Sequence, residues 1–225
     1  MSMFKLIAVT DQASCPENFW TQLQLLAASE IDALIFRAKE LPPQEYYRQA
    51  SQVQKICRTH QLPLILHTYQ DICRRLDTYG LQVSYQQLLF QPQLRAQVQC
   101  LGVSIHHADE AVRAADLGAD YLLAGHIFAT NCKQGLPGRG LDFLSAVCAA
   151  TALPVYAIGG ITPANIGQIK KTGAAGAGLM SSLMTCPKPA VLVQKLRQAF
   201  VELVEIFMVG TYVPNGVPRP VVNNT

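Results

Sequence analysis

Strand-like and helix-like stretches alternate along this chain eight times over, and few folds accept that order. Residues 4–9 are β-branched and aromatic and close at Thr10-Asp11; residues 18–29 then carry Trp20, Leu23, Leu26 and Ala27 at helical spacing. A strand follows at Ala33–Phe36, and Pro42-Pro43 opens a helix that runs to about Thr59. Next come a strand over 63–67, a helix over 71–78 stopped at Gly80, and a strand over 81–84. The fourth helical stretch, 85–99, has little periodicity and is broken by Pro92. A strand over 100–106, a helix over 107–118, a strand entered at Asp120 and a helix over 141–153 restore the pattern. It ends with a strand over 154–158, a helix capped by Thr162 with Pro163 in its first turn, a strand over 176–180 and a helix over 190–204.

Parallel strands need long crossovers, which helices supply, so eight units predict one (β/α)8 barrel spanning residues 1–208 with no linker inside it. Half of the residues are hydrophobic and only 15% are charged, which suits a large core and excludes a disordered chain. Residues 209–225 change character: Pro214, Pro218 and Pro220 interrupt them, and they read as an extended or disordered tail.

Composition also narrows the function classes. A net charge of +3, with basic residues scattered in pairs such as Arg74-Arg75 and Lys170-Lys171, gives no stripe for nucleic acid. No stretch has the run of about 18 apolar residues that spans a membrane. The start reads as a strand interrupted by Lys5, not as a signal peptide. Seven cysteines with no CxxC pair suggest neither a zinc site nor a disulfide framework, and fit reduced thiols in a cytoplasmic protein.

The chemistry gathers between Asp120 and Gly140, DYLLAGHIFATNCKQGLPGRG. A strand ends at Gly125-His126, and a polar, glycine-rich loop with Cys132, Lys133, Gln134 and Arg139 follows. In a parallel barrel that rim is where catalytic groups collect, and histidine carries protons near neutral pH. A satisfied core histidine beside a solvated lysine is the bland alternative. Arg37 and Lys39 end the second strand and, with Lys133, can neutralise an acidic substrate. His67 and His106 end strands three and five, whereas His60 and His107 read as structural or surface residues. His67, His106 and His126 lack a carboxylate to complete a metal site, so no metal is expected. Gly159-Gly160 after strand seven and Met180-Ser181 after strand eight stand where barrels hold phosphate.

From residue 4 to about 204 the chain resembles the thiamin-phosphate-synthase superfamily. IFRAKE, LGVSIHHADEA, AIGGITPANI and GAGLMSS match it, and GHIFATNCKQGLPGRG is similar to the TenI-type thiazole tautomerases within it. That resemblance implies a cofactor-independent isomerase that converts a carboxythiazole phosphate to its aromatic tautomer. It implies His126 as the acid/base. Gly159, Gly160, Met180 and Ser181 would take the phosphate, and Arg37, Lys39, Lys133, Ser104 and His106 the rest of the substrate. The family's synthases hold Mg²⁺ and a pyrophosphate with aspartates after strands three and four. Here those positions read His67-Thr68-Tyr69 and Gln86-Gln87, and hard cations prefer carboxylates. His126 also stands where the synthases usually have proline. The alternatives are a synthase with another metal arrangement and a non-catalytic ligand sensor. Barrels of this kind often pair, which leaves a homodimer open.

Overall fold

Eight parallel strands pair in sequence order, and the last returns to the first, closing a barrel. The computed structural model describes residues 5–133 and 135–209. The strands are β1 (Lys5–Val9), β2 (Ala33–Phe36), β3 (Leu64–His67), β4 (Gly80–Ser84), β5 (Leu101–Ile105), β6 (Tyr121–Gly125), β7 (Val155–Ile158) and β8 (Gly176–Leu179). Around them lie α1 (Phe19–Ala27), α2 (Pro43–Thr59), α3 (Gln70–Leu76), α4 (Tyr85–Phe90), α5 (Asp109–Asp116), α6 (Gly140–Ala150), α7 (Ile166–Lys170), α8 (Ser181–Met184) and α9 (Pro189–Val209). The predicted barrel is therefore the observed one. The expected tail lies outside the described residues, apart from Val209, which closes α9.

Strands such as ALIF and LILH are buried at every position, because one face meets the helices and the other the lumen. Leu34, Phe36, Leu64 and Leu66 pack outward under α2 and α3, whereas Ile7, Ile35, Ile65, Leu123, Tyr121 and Tyr156 fill the lumen. The two tyrosine rings meet edge to face, 5.5 Å apart. They fit because β5 and β8 present glycines there: a Cβ on Gly102 would enter the Tyr121 ring, and one on Gly176 the Tyr156 ring. Aspartates pin the barrel's N-terminal face. Asp32 Oδ2 accepts from Leu6 N–H at 2.6 Å and Asp120 Oδ2 from Leu101 N–H at 2.7 Å, each carboxylate tying one strand's start to its neighbour.

Four elements differ from expectation. The weak fourth helix is α4 plus a 3-10 turn at Pro92–Gln97, since proline cannot donate within a helix. Asp77, at φ +49°, ends α3; Gly80 already belongs to β4, where a Cβ would lie 2.6 Å from the Cys100 carbonyl oxygen. Thr162 is not a cap. Asn165 Oδ1 accepts from Thr162 N–H at 2.8 Å and its Nδ2 donates to Gly160 O at 2.9 Å, so residues 162–165 form a turn and α7 starts only at Ile166. A short helix, α8, follows β8 directly.

Candidate active site

Side chains alternate along a strand, so one parity of each strand faces the lumen. Continued to the C-terminal rim, that parity carries Arg37 after β2, His67 at the end of β3, Gln82 on β4, Ser104 on β5 and Met180 after β8.

Arg37 is held by its backbone. The buried Thr10 hydroxyl donates to Arg37 O at 3.0 Å and accepts from Arg37 N–H at 2.8 Å. Its guanidinium reaches Asp11 at 3.8 Å, a half-exposed and therefore weak pair. Lys39 lies close enough to Arg37 and Lys133 to feel both. Burial first, and then those two charges, lower its pKa from the ordinary lysine value. The structure thus brings together the three cations that the sequence singled out, two from the β2 end and one from the β6 loop.

His67 is buried, its Nδ1 2.5 Å from Thr68 Oγ1. Desolvation, with Lys39 and Arg37 nearby, pushes its pKa down to about 3, so the ring is neutral. Tyr46 of α2 clasps this corner: its hydroxyl donates to Phe36 O at 2.9 Å and accepts from His67 N–H at 3.0 Å. On the other side Gln87 Nε2 donates to Thr68 O at 2.9 Å. The two rim positions that lack aspartate therefore satisfy each other. Beside them stand Arg37, already facing Asp11, and Lys39. This donor set does not fit a hard dication, and among the described residues no group of three His, Cys, Asp or Glu converges.

His126 follows β6 across a cis peptide bond from Gly125. Its backbone is fixed from three directions. Ile127 N–H donates to Ile158 O at 2.9 Å and Phe128 N–H to Gly159 O at 3.1 Å. The far end of the glycine-rich loop folds back, with Arg139 N–H on His126 O at 2.9 Å and Gly140 N–H on Ile127 O at 3.0 Å. From β5, His106 Nδ1 lies 2.7 Å from Gly125 O, while Glu110 accepts from the His106 and His107 N–H groups. The half-buried His126 ring places Nε2 3.4 Å from Leu136 O.

Gly159 (φ +101°) and Gly160 (φ +66°) do work that sequence reasoning did not assign them. A Cβ on Gly159 would collide with His126, and one on Gly160 with Ala129 and Phe128. They let the His126 segment lie against the end of β7. The sequence also gave Gln82 and Tyr121 no role. Gln82 is 1% exposed; Tyr121 Oη donates to its Oε1 at 2.6 Å, and its Nε2 donates to Ser104 Oγ at 2.9 Å. The signal was available in parity: a glutamine inside an otherwise apolar strand, facing the lumen. Cys132 is exposed in the loop beside Lys133. A concavity of about 760 Å³ on the helical ring, beside Gln44, Arg48 and Lys55, contains none of these groups.

Residues 6–183 match the family model described as thiamine monophosphate synthase. The chain is 34% identical over 170 residues to thiamine-phosphate synthase 2 of Streptococcus pneumoniae, covering 75% of this chain and 81% of that one. It is 34% identical over 196 residues to thiamine-phosphate synthase of Lacticaseibacillus paracasei, covering 86% and 92%. The solved thiamine phosphate pyrophosphorylase of Pyrococcus furiosus superposes with a TM-score of 0.75 at 25% identity, over 90% of this chain and 98% of that one. Among the described residues no helix is long and apolar enough to cross a membrane.

Proposed function

The chain belongs to the thiamine monophosphate synthase family, and we propose that within it the protein is a thiazole tautomerase, an isomerase acting on a carboxythiazole phosphate without metal or cofactor. One observation carries this reading: the hydrogen bond from Gln87 Nε2 to Thr68 O. An amide and a carbonyl pair where coupling chemistry needs carboxylates for Mg²⁺, and the charges acting on the adjoining His67 are the cations Lys39 and Arg37. Those cations suit an anionic substrate directly.

The reaction asks for little beyond one proton carrier. A proton leaves ring C2, the electron pair shifts through the conjugated double bonds, and the exocyclic carbon takes a proton. His126 does both halves. With the proton on the nitrogen that faces Leu136 O, the other ring nitrogen holds the lone pair that removes the C2 proton. Arg37, Lys39 and Lys133 face the carboxylate and the charge that builds on it as C2 is deprotonated. Ser104 and His106 flank the ring from β5. Gly159, Gly160, Met180 and Ser181 take the phosphate at the ends of β7 and β8. Since α7 begins three residues later than expected and α8 is four residues long, backbone N–H groups carry that role more than a helix dipole.

A second reading is magnesium-dependent coupling of a pyrimidine pyrophosphate to thiazole phosphate. The relatives described above are named synthases or a pyrophosphorylase, so comparison supports coupling better than isomerisation; the rim residues support isomerisation. One assay separates them. The unaromatised thiazole phosphate is incubated with protein and EDTA, and aromatic absorbance is followed. Aromatisation at the same rate in EDTA and in Mg²⁺ is expected. No aromatisation, with Mg²⁺-dependent pyrophosphate release from the aminopyrimidine substrate, assigns the protein to coupling.

A further inference from the structure

Below the rim, one chain of hydrogen bonds crosses the lumen from β6 to β4 to β5. The Tyr121 hydroxyl is buried, and desolvation holds its pKa well above the ordinary phenol value, so it keeps its proton. It donates to Gln82 Oε1 at 2.6 Å. The structure turns the Gln82 amide so that its oxygen meets Tyr121 and its nitrogen faces β5. Nε2 donates to Ser104 Oγ at 2.9 Å. A hydroxyl whose lone pair accepts this N–H must send its own proton elsewhere. Among the described residues the Ser104 hydroxyl makes no hydrogen bond as donor. Ser104 is half-buried on the lumen side of β5, two residues before His106, where the lumen opens to the rim. Gly102, next inward on the same face, cannot carry a Cβ because Tyr121 and Gln82 Oε1 occupy that space, so the chain is held from below as well.

We propose that Gln82 is a positioning residue: it fixes the Ser104 hydroxyl as a one-way donor, so that the barrel mouth selects a substrate presenting a hydrogen-bond acceptor, a ring nitrogen or a carboxylate oxygen, at that point. The inference deepens the reading of the site as a thiazole phosphate site. A fixed donor rewards an acceptor and penalises a ligand that covers it without one, because the hydroxyl is then left unpaired. It also meets charge that develops on the ring or its carboxylate during deprotonation without having to reorient.

The test is a mutant cycle on the whole chain. Gln82→Glu preserves shape and, at a pH where its carboxyl is ionised, turns the donor into an acceptor; the carboxylate then accepts from both Tyr121 and Ser104 and draws the Ser104 proton away from the substrate, whereas burial favours the neutral acid, which still donates. Gln82→His keeps one acceptor and one donor on the ring. Gln82→Met keeps volume and makes neither bond. For each we would measure thermal midpoint, aromatisation kcat, and affinity for the aromatic carboxythiazole phosphate by calorimetry. Gln82→Glu should lose about tenfold in kcat and in affinity, the size of one hydrogen bond to a polar ligand. Gln82→His should recover most of it. In a Ser104→Ala background Gln82→Glu should cost nothing further. Where Gln82→Glu does not fold, Gln82→Met against Ser104→Ala completes the same cycle. Losses that multiply in the double variant, or a folded Gln82→Met protein with parental kcat and affinity, overturn the proposal. A parent protein that binds the phosphate but does not aromatise its tautomer removes the tautomerase reading, and the cycle is then read in affinity alone. A parent that does neither overturns both.

Discussion

His106 Nδ1 sits 2.7 Å from the carbonyl oxygen of Gly125, the residue that hands the chain to His126. A ring nitrogen within reach of a carbonyl is its donor, so β5 holds the backbone from which the proposed acid/base projects. Replacing His106 with Leu removes that donor and leaves the Gly125 carbonyl unpaired. We expect kcat to fall by on the order of tenfold, because small displacements of a catalytic group are expensive. Affinity for the aromatic carboxythiazole phosphate should fall by less than kcat, since His106 also flanks the ring. A large loss of affinity at parental kcat would instead make His106 chiefly a substrate contact.

His126→Asn keeps polarity and approximate size but cannot carry a proton. Its aromatisation rate should drop by about 10²–10⁴-fold while ligand affinity and thermal midpoint stay close to the parent. A variant that keeps more than about a third of the parental kcat ends the assignment, and Cys132→Ser, otherwise expected to be mild, becomes the next variant to measure.

The phosphate reading calls for a test away from Gly160. A side chain there would be strained at φ +66° and would strike Ala129 and Phe128, so Gly160→Asp would report on packing. Ser181, half-buried at the first position of α8, accepts the change better, since a carboxylate at a helix start is tolerated. Ser181→Asp should weaken phosphate-ligand binding by on the order of 1–3 kcal/mol through like-charge contact. Unchanged affinity in titration calorimetry, with a normal thermal midpoint, would move the phosphate elsewhere on the rim.

His67 gives a pH signature. Burial, with Lys39 and Arg37, lowers its folded-state pKa to about 3, against about 6.5 in an unfolded chain. Between those values the unfolded state binds the extra proton. The neutral ring's contribution is therefore complete above pH of about 6.5 and is lost as pH falls toward 3. His67→Gln should flatten the decline of unfolding free energy between pH 6.5 and 4, by on the order of a few kcal/mol at most, read from denaturant titrations at each pH. Parallel declines for parent and variant would show that other groups set the acid limb.

The barrel was legible because each strand and helix announces itself locally, and eight alternating units close in one way. The rim positions of His126, Arg37 and Lys39 were legible too, since a residue at a strand's C-terminal end must sit on the rim, and Lys133 follows in the loop after β6. Tertiary structure alone decided what those residues lean on. The Gly159-Gly160 pair reads as an anion turn in sequence, yet its missing side chains make room for the His126 segment from another strand. Asn165, not Thr162, shapes the turn before α7, because its amide reaches both Gly160 O and Thr162 N. Gln82, Tyr121 and Ser104 lie 22 and 39 residues from their partners along the chain. They meet only because register and closure of the barrel set three strands' inward faces at one level. Local propensity sets each element and its inward face; closure sets which inward faces meet, and the hydrogen bonds that orient the candidate site form only after it.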